Sequence, residues 1–285
     1  MPRMAQRMLS TTIDLGSSVR FHTVLLPRAA YEAAYVAPCG LIGFAFESQS
    51  GFHSFGSDRR TPYRTRPNSL AFIPAGCDVY SQSDCGGEYL LIRAGDWNPP
   101  AARRFNDVML PSAVQAAAQI RRQMLNNPAA GSLAVAESMS TMLAAVSCFC
   151  DPAHREPHAA RWITARRLRL IDELIEAHID ERVTVADLAA RLDLSTGFFI
   201  RAFRAYVGQS PHAYVMERRL AKARILLSTS TISLTAVAAA CGFANHAHMS
   251  TVFKRTLNVA PSALQRARAE PPEFSSYRQG VATDS

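Results

Sequence analysis

The sequence predicts an α+β protein with a β-rich N-terminal half, a helical middle segment and an all-α C-terminal domain holding two helix-turn-helix modules joined by a linker helix. Three observations carry this. Thr184 to Pro211 scans as two short helices with a tight turn. The same pattern returns about fifty residues later, from Ser233 to Pro261. Before them, residues 19–94 break into short β-favouring runs divided by Gly, Pro, Asn and Asp.

The repeat can be followed landmark by landmark. Leu188-Ala189 answers to Val237-Ala238, Phe203-Arg204 to Phe253-Lys254, and Pro211 to Pro261. At 285 residues, with 48% hydrophobic and 19% charged residues, the chain is long enough for two ordinary globular domains. Its net charge of +8 is unevenly placed. Residues 161–268 hold sixteen Lys/Arg against eight Asp/Glu, a surplus equal to that of the whole chain. A basic domain built on paired helix-turn-helix patterns has what neutralising nucleic-acid phosphates requires.

The predicted divisions are a β domain over 1–110, a helical element over 111–150, a linker over 151–165, the basic domain over 166–268 and a polar, proline-bearing tail expected to be disordered over 269–285. Residues 1 to about 15 show no periodicity and read as a loose arm. The runs VRFHTVLL, LIGFAFES, SLAFI, CDVYS and EYLLIRA argue for a small antiparallel barrel or sandwich. SLAFIPAG followed by CDVYS resembles the strand-turn-strand segment of cupin-type barrels. Metal-holding cupins use an HxH pair and a following carboxylate. The β-rich half has no such pair, so no metal and no cofactor is expected. If this domain binds anything, a small organic effector is expected, with Phe44, Phe46, Tyr63, Arg64, Phe72, Tyr80 and Arg93 as candidate contacts. Aromatic residues in strands are more often plain core, and such arginines more often lie on the surface.

Pro111 opens a helical pattern through Leu125, and Leu133 to Cys150 is apolar on more than one face. A helix that apolar must be covered, by the β domain or by the same helix of a second subunit. Cys148 and Cys150, two apart on a helix, point away from each other and read as separate thiols. Asp151 to Ala160, with two prolines, His154 and His158, reads as linker. No secretory segment and no apolar run long enough to span a bilayer is evident, so a cytoplasmic protein with reduced cysteines is expected.

In the basic domain, Thr184-x-x-Asp187 matches a capping box, and Ser195 is a natural N-cap for the next helix. That helix, Thr196 to Tyr206, should bury Phe199, Ala202, Phe203 and Tyr206 and turn Thr196, Gly197, Ile200, Arg201 and Arg204 outward. An exposed Ile200 beside Arg201 makes little sense as a solvated face. It makes sense as a thymine-methyl contact beside an arginine reading guanine. The linker helix from Pro211 should place Arg218, Arg219, Lys222 and Arg224 on its polar surface. In the second module Asn245, His246, Ala247, Ser250 and Thr251 should face bases, with Lys254 and Arg255 nearer the phosphates.

With these residues in place, about 168–268 resembles the tandem helix-turn-helix domain of the AraC/XylS family of bacterial transcription regulators. The matching stretches are LAARLDLS, FFIRAFR, VGQSP, RRLAKARILL, VAAACGF, MSTVFKR and APSALQR. Asn258 stands where the family usually has Gly, Met249 where Phe is common, and Thr251 where Arg is frequent. The resemblance implies a sequence-specific regulator of double-stranded DNA, more often an activator, working with RNA polymerase. It also implies a cupin-like effector domain and a helical dimerisation element in a homodimer. The alternative keeps the DNA binding and gives the N-terminal half protein contacts only; with no nucleophile and base placed together, a cupin enzyme fused to a DNA-binding domain is not expected.

Overall fold

The computed structural model describes residues 9–14, 20–97, 99, 102–126, 133–151 and 160–267. Within them, contacts gather into two units. One holds all ten strands with the second half of the first long helix and the second long helix. The other holds everything from Ala160 onward, together with Met109–Ala118.

The strands are β1 Leu9–Asp14, β2 Arg20–Leu26, β3 Tyr31–Val36, β4 Leu41–Ala45, β5 Gln49–Phe55, β6 Thr61–Thr65, β7 Ser69–Ile73, β8 Asp78–Ser83, β9 Tyr89–Arg93 and β10 Phe105–Val108. They form a six-stranded sheet, β1-β2-β9-β4-β7-β10, and a four-stranded sheet, β3-β8-β5-β6. Every pairing is antiparallel. The barrel expected from sequence is therefore not closed by hydrogen bonds among the described residues, which divide into two sheets.

Register decides which side chains meet. Ile42 pairs with Phe72 and Ile92, and Phe44 pairs with Leu70 and Leu90, so these six share one face of the larger sheet. All six are fully buried. The other face carries Leu41, Gly43 and Ala45 alongside Tyr89, Leu91 and Arg93. Part of the expected loose arm is ordered instead. Leu9–Asp14 pairs residue for residue with β2, because the β-branched run Thr11-Thr12-Ile13 completes an otherwise open sheet edge.

Helices α1 (Pro111–Asn126) and α2 (Leu133–Cys150) follow. The apolar side chains of α2 are covered within the chain: Val135, Met139, Met142, Leu143, Val146 and Cys150 are buried. Its open face carries Glu137, Ser140, Thr141, Ala144 and the exposed Cys148. Toward its end α1 is held by a buried ion pair, Arg121 to Glu88, in which Nε donates to Oε1 at 3.1 Å and Nη2 to Oε2. The same guanidinium lies 4.5 Å over the Phe46 ring. The expected linker histidines His154 and His158 and the tail 269–285 lie outside the described residues.

The second unit is helical: α3 Ala165–Ala177, α4 Val185–Ala190, α5 Thr196–Val207, α6 Pro211–Thr229, α7 Leu234–Ala240, α8 His246–Leu257 and α9 Pro261–Ala267. It has two cores. One gathers Leu168, Ile171, Ile175, Leu188, Phe199, Phe203 and Tyr214. The other gathers Leu220, Ala223, Leu227, Val237, Cys241, Met249 and Phe253. Among the described residues only α6 contributes to both, with its first turns in one and its last in the other, so the repeat seen in the sequence becomes two small folded bodies on one rod. Nineteen residues make that rod about 28 Å long.

Candidate nucleic-acid interface

Each module begins on a side-chain cap. The Thr184 hydroxyl accepts the Asp187 N–H at 3.2 Å and donates to Asp187 Oδ2 at 2.7 Å, while the Thr184 N–H donates to the same oxygen at 2.8 Å. Together these complete the capping box. The hydroxyl bond, then the amide bond, holds the Asp187 carboxyl below its ordinary range. The folded state thus favours the carboxylate more than the unfolded chain does. The stabilisation is present above the ordinary carboxylate pKa and is lost as pH falls through the depressed folded value. Thr184→Ala is expected to cost about 1 kcal/mol and to weaken that acid dependence. Urea titrations at neutral and mildly acidic pH check both, and equal midpoints for wild type and variant would refute the cap's contribution.

Past α4 the chain turns through Asp193, which is left-handed at φ 56°, and Ser195 caps α5 by accepting the Phe198 N–H at 3.4 Å. Phe199, Ala202, Phe203 and Val207 are buried. This leaves Ser195, Thr196, Gly197, Ile200, Arg201 and Arg204 exposed along one side. Ile200 is among the few large apolar side chains left in solvent. The helix ends on Gly208 at φ 84°.

The second module repeats this geometry with different chemistry. Met249, Val252, Phe253 and Leu257 are buried in α8. His246, Ala247, Thr251, Lys254 and Arg255 are exposed, and Ser250 is half-buried. Two of these side chains are also engaged within the protein. Asn245, expected to read adenine with its whole amide, is the N-cap of α8, and its Oδ1 accepts the His248 N–H at 2.8 Å. The cap takes one of that oxygen's two lone pairs and fixes the plane of the amide, so Asn245 can approach a base only in the orientation the cap allows. The Thr251 hydroxyl donates to the Ala247 carbonyl at 3.0 Å, which ties it to its own helix. The helix closes on Asn258 at φ 52°, the left-handed conformation that Asn tolerates in place of Gly.

Two arginines of α6 expected on its surface are turned inward. Arg218 reaches α3, pairing with Glu176 and lying 4.0 Å from Asp172, whose Oδ1 also accepts the buried Tyr214 hydroxyl at 2.7 Å. Arg219 donates from Nη2 to the Glu181 carbonyl at 2.6 Å, and burial lowers its pKa. Over it sits the α7–α8 turn, where Gly242 is left-handed at φ 70°. A Cβ there would meet the Ile179 carbonyl oxygen and come within 2.8 Å of the Arg219 Cζ. Beside that contact, a cleft of about 680 Å³ opens between the modules, lined in part by Thr184, His212, Met216, Phe243 and His248. The buried Cys241 thiol is pushed up to about 11 by its surroundings.

In the β unit, the expected effector contacts fall on three different surfaces. Phe44 and Phe72 are in the packed face of the larger sheet, with Phe46 edge-on to Phe44 at 5.0 Å. Tyr80 and Arg64 stand on the outward side of their strands, where the Tyr80 ring is covered by Arg60 at 3.8 Å. Tyr63 belongs to a cluster the sequence did not single out, while Arg93 lies on the same sheet face as Tyr89 and its charge opposes the rise that burial imposes on the Tyr35 phenol. The Tyr31 and Tyr63 hydroxyls lie 2.5 Å apart, Tyr31 also reaches the Ser81 hydroxyl at 3.1 Å, and His53 stacks on Tyr63 at 4.8 Å. Tyr89 lies across Gly43, close enough that a Cβ at Gly43 would meet its hydroxyl. Burial, then the Tyr31, Tyr35 and Tyr63 phenols, pushes the Tyr89 phenol above its ordinary range. Burial and the Tyr31 bond do the same for Tyr63. Strand register, which no local pattern encodes, would have been needed to find this group. Among the described residues no set of three or more His, Cys, Asp or Glu is placed to hold a metal, and no helix is long and apolar enough to cross a membrane.

Residues 188–267 match the family model described as a helix-turn-helix domain. The chain is 33% identical over 96 residues to the Photobacterium leiognathi protein named "Probable transcriptional regulator LumQ", covering 34% of this chain and 39% of that one. It is 29% identical over 185 residues to the HTH-type transcriptional activator RhaS of Escherichia coli (strain SMS-3-5 / SECEC), covering 64% of each chain. A solved transcriptional regulator from Chromobacterium violaceum, of the AraC-type DNA-binding domain-containing proteins, is 32% identical over 38% of this chain and 96% of that chain, at a TM-score of 0.35. The matches thus span 39% and 64% of the two curated relatives' own lengths.

Proposed function

The C-terminal region is a helix-turn-helix domain of the AraC/XylS family, and from that premise we propose that this protein is a sequence-specific, double-stranded DNA-binding transcription regulator. The observation that carries the reading is the pair of solvent-facing sides on α5 and α8, each at the second helix of a capped helix-turn-helix. Such a helix enters the major groove by its N-terminal half. On α5 that half offers Thr196, Gly197, Ile200 and Arg201, and on α8 it offers His246, Ala247, Ser250 and Thr251. Lys254 and Arg255 lie further along, where phosphates are within reach. Ser195, Arg204 and the amide donors of Asn245 complete the interface. A basic surplus confined to this half of the chain supplies the attraction.

Selection from random duplexes with the full chain tests the reading. Recovery of a motif with two segments about one helical turn apart is expected, with binding that falls steeply as salt rises. Recovery of no enriched sequence at low salt would sink it.

For the N-terminal unit the reading is a sensor of a small polar or aromatic effector, not an enzyme. Tyr31, Tyr63, Tyr89, Ser81 and Arg93 are the proposed contacts, because phenols, a hydroxyl and a guanidinium converge there among small residues. A second reading, protein contact alone, is favoured by Val36 and Phe52, exposed at 62% and 50% on the outward side of the four-stranded sheet. Thermal-shift screening of the full chain with aromatic and carboxylate metabolites separates the two. Saturable stabilisation that Tyr63→Phe abolishes supports sensing, and silence across the panel supports protein contact. Work as an activator follows the name of the activator RhaS by analogy, and RNA polymerase as partner, a homodimer and a cytoplasmic location belong to the same proposal.

A further inference from the structure

Ala160–Trp162 forms a single 3-10 turn where the described chain enters the helical unit. It packs on α5 rather than leading past it. The Trp162 ring meets Phe198 edge-on, centroids 5.4 Å apart at 90°. The Arg201 guanidinium lies 6.0 Å from the centroid of the same Phe198 ring. Phe198 is therefore the neighbour shared by Trp162 and by the arginine at the centre of the first reading face.

Trp162 is also fixed in place. The next residue, Ile163, is fully buried in the first module's core, and Thr164 caps α3 by accepting the Arg167 N–H at 3.2 Å. The Arg167 guanidinium donates to the Trp162 carbonyl at 3.0 Å. Yet 43% of Trp162 stays in solvent. An immobilised tryptophan left that open is an unfilled contact surface, since large aromatics are buried in most settings and gather where one end meets a partner. Arg161 and Arg166 beside it are exposed, so the surroundings fit a polyanion and not an apolar protein face.

We infer that Trp162 is part of the DNA interface, covering the sugar-phosphate backbone that flanks the base read by Arg201 and holding Arg201 in position through Phe198. The inference rests on the DNA-binding reading above. It makes the end of the interdomain segment a wall of the first reading head, so Trp162 acts as a positioning residue for Arg201 as well as a contact.

The test uses the full chain and the duplex recovered by selection. The sequence has two tryptophans, so Trp97→Phe leaves Trp162 as the only indole. Binding is followed by mobility shift in the same samples. On duplex addition, Trp162 emission is expected to change saturably at the binding midpoint, and acrylamide quenching is expected to drop. Trp162→Ala is expected to bind about tenfold more weakly. It should also lose preference at the base pair that Arg201→Ala affects, while circular dichroism at the assay temperature shows the helical unit still folded. Trp162→Phe should recover most of the affinity. A duplex that shifts while Trp162 stays fully quenchable overturns the inference and leaves the DNA-binding reading standing. Wild-type affinity and preference in Trp162→Ala overturn it equally. If selection recovers no duplex, the underlying reading fails and this inference with it.

Discussion

Gly242→Ala is expected to detach the second module from the first and to destabilise the helical unit by roughly 3 kcal/mol. Two causes add. An L-residue at φ 70° costs about 1 to 2 kcal/mol by itself. The new methyl would also strike the Ile179 carbonyl oxygen and press on the Arg219 guanidinium, and the first of these is backbone that cannot swing aside. The turn must lift off the Ile179 carbonyl just past the end of α3, and the Arg219 bond to the Glu181 carbonyl goes with it. Urea denaturation reads the stability loss. Binding to a two-segment duplex against a duplex with one segment reads the detachment, since a variant whose heads are no longer in register should lose most of the advantage of the second segment. A Gly242→Ala protein with wild-type midpoint and wild-type two-segment advantage would show that this contact fixes nothing.

Arg201→Ala is expected to relax base preference at one position and to cost about 1 to 3 kcal/mol of specific binding. Its guanidinium is exposed on the first reading face beside Ile200, where a fork of donors suits a guanine edge. Lys254→Ala is expected to behave differently. It should weaken all duplexes alike and flatten the salt dependence by about one unit of slope, because a lysine near the end of α8 serves phosphates. Selection with each variant separates the two. If Arg201→Ala returns the wild-type motif unaltered, α5 does not read sequence through this residue.

Much of the reading face was legible because helical periodicity is local. Once Phe199, Ala202 and Phe203 are assigned to the core, the 3.6-residue repeat leaves little choice for Thr196, Ile200, Arg201 and Arg204. Caps were legible for the same reason, as at Thr184 and Ser195. What escaped needs three dimensions. Arg218 and Arg219 read as surface because arginine usually is, but their long stems reach across α6 to acceptors on α3 and the following loop. Asn245 is a cap as well as a candidate contact, because its position before α8 brings its side chain to the helix's first amides. Phe44 and Tyr89 sit in adjacent strands with nothing local to say that they face opposite ways. Only the pairing register does. Trp162 carries no local signal of its own, since it follows a proline-bearing stretch, although the Ile163 and Thr164 that follow it supply a core residue and a cap.

The two separate cores on the single rod of α6 have a kinetic consequence. Neither head needs the other's interior to stay folded around its own reading helix, so each can leave its groove segment while the other holds. Once one head is seated, the second samples its segment at an effective local concentration on the order of millimolar, whatever the amount of protein in the cell. Full release then requires both heads to be off at once. Weakening either head should shorten the lifetime on DNA far more than it slows arrival. How long this protein stays at a promoter would thus be set by its poorer head, the one built on α8.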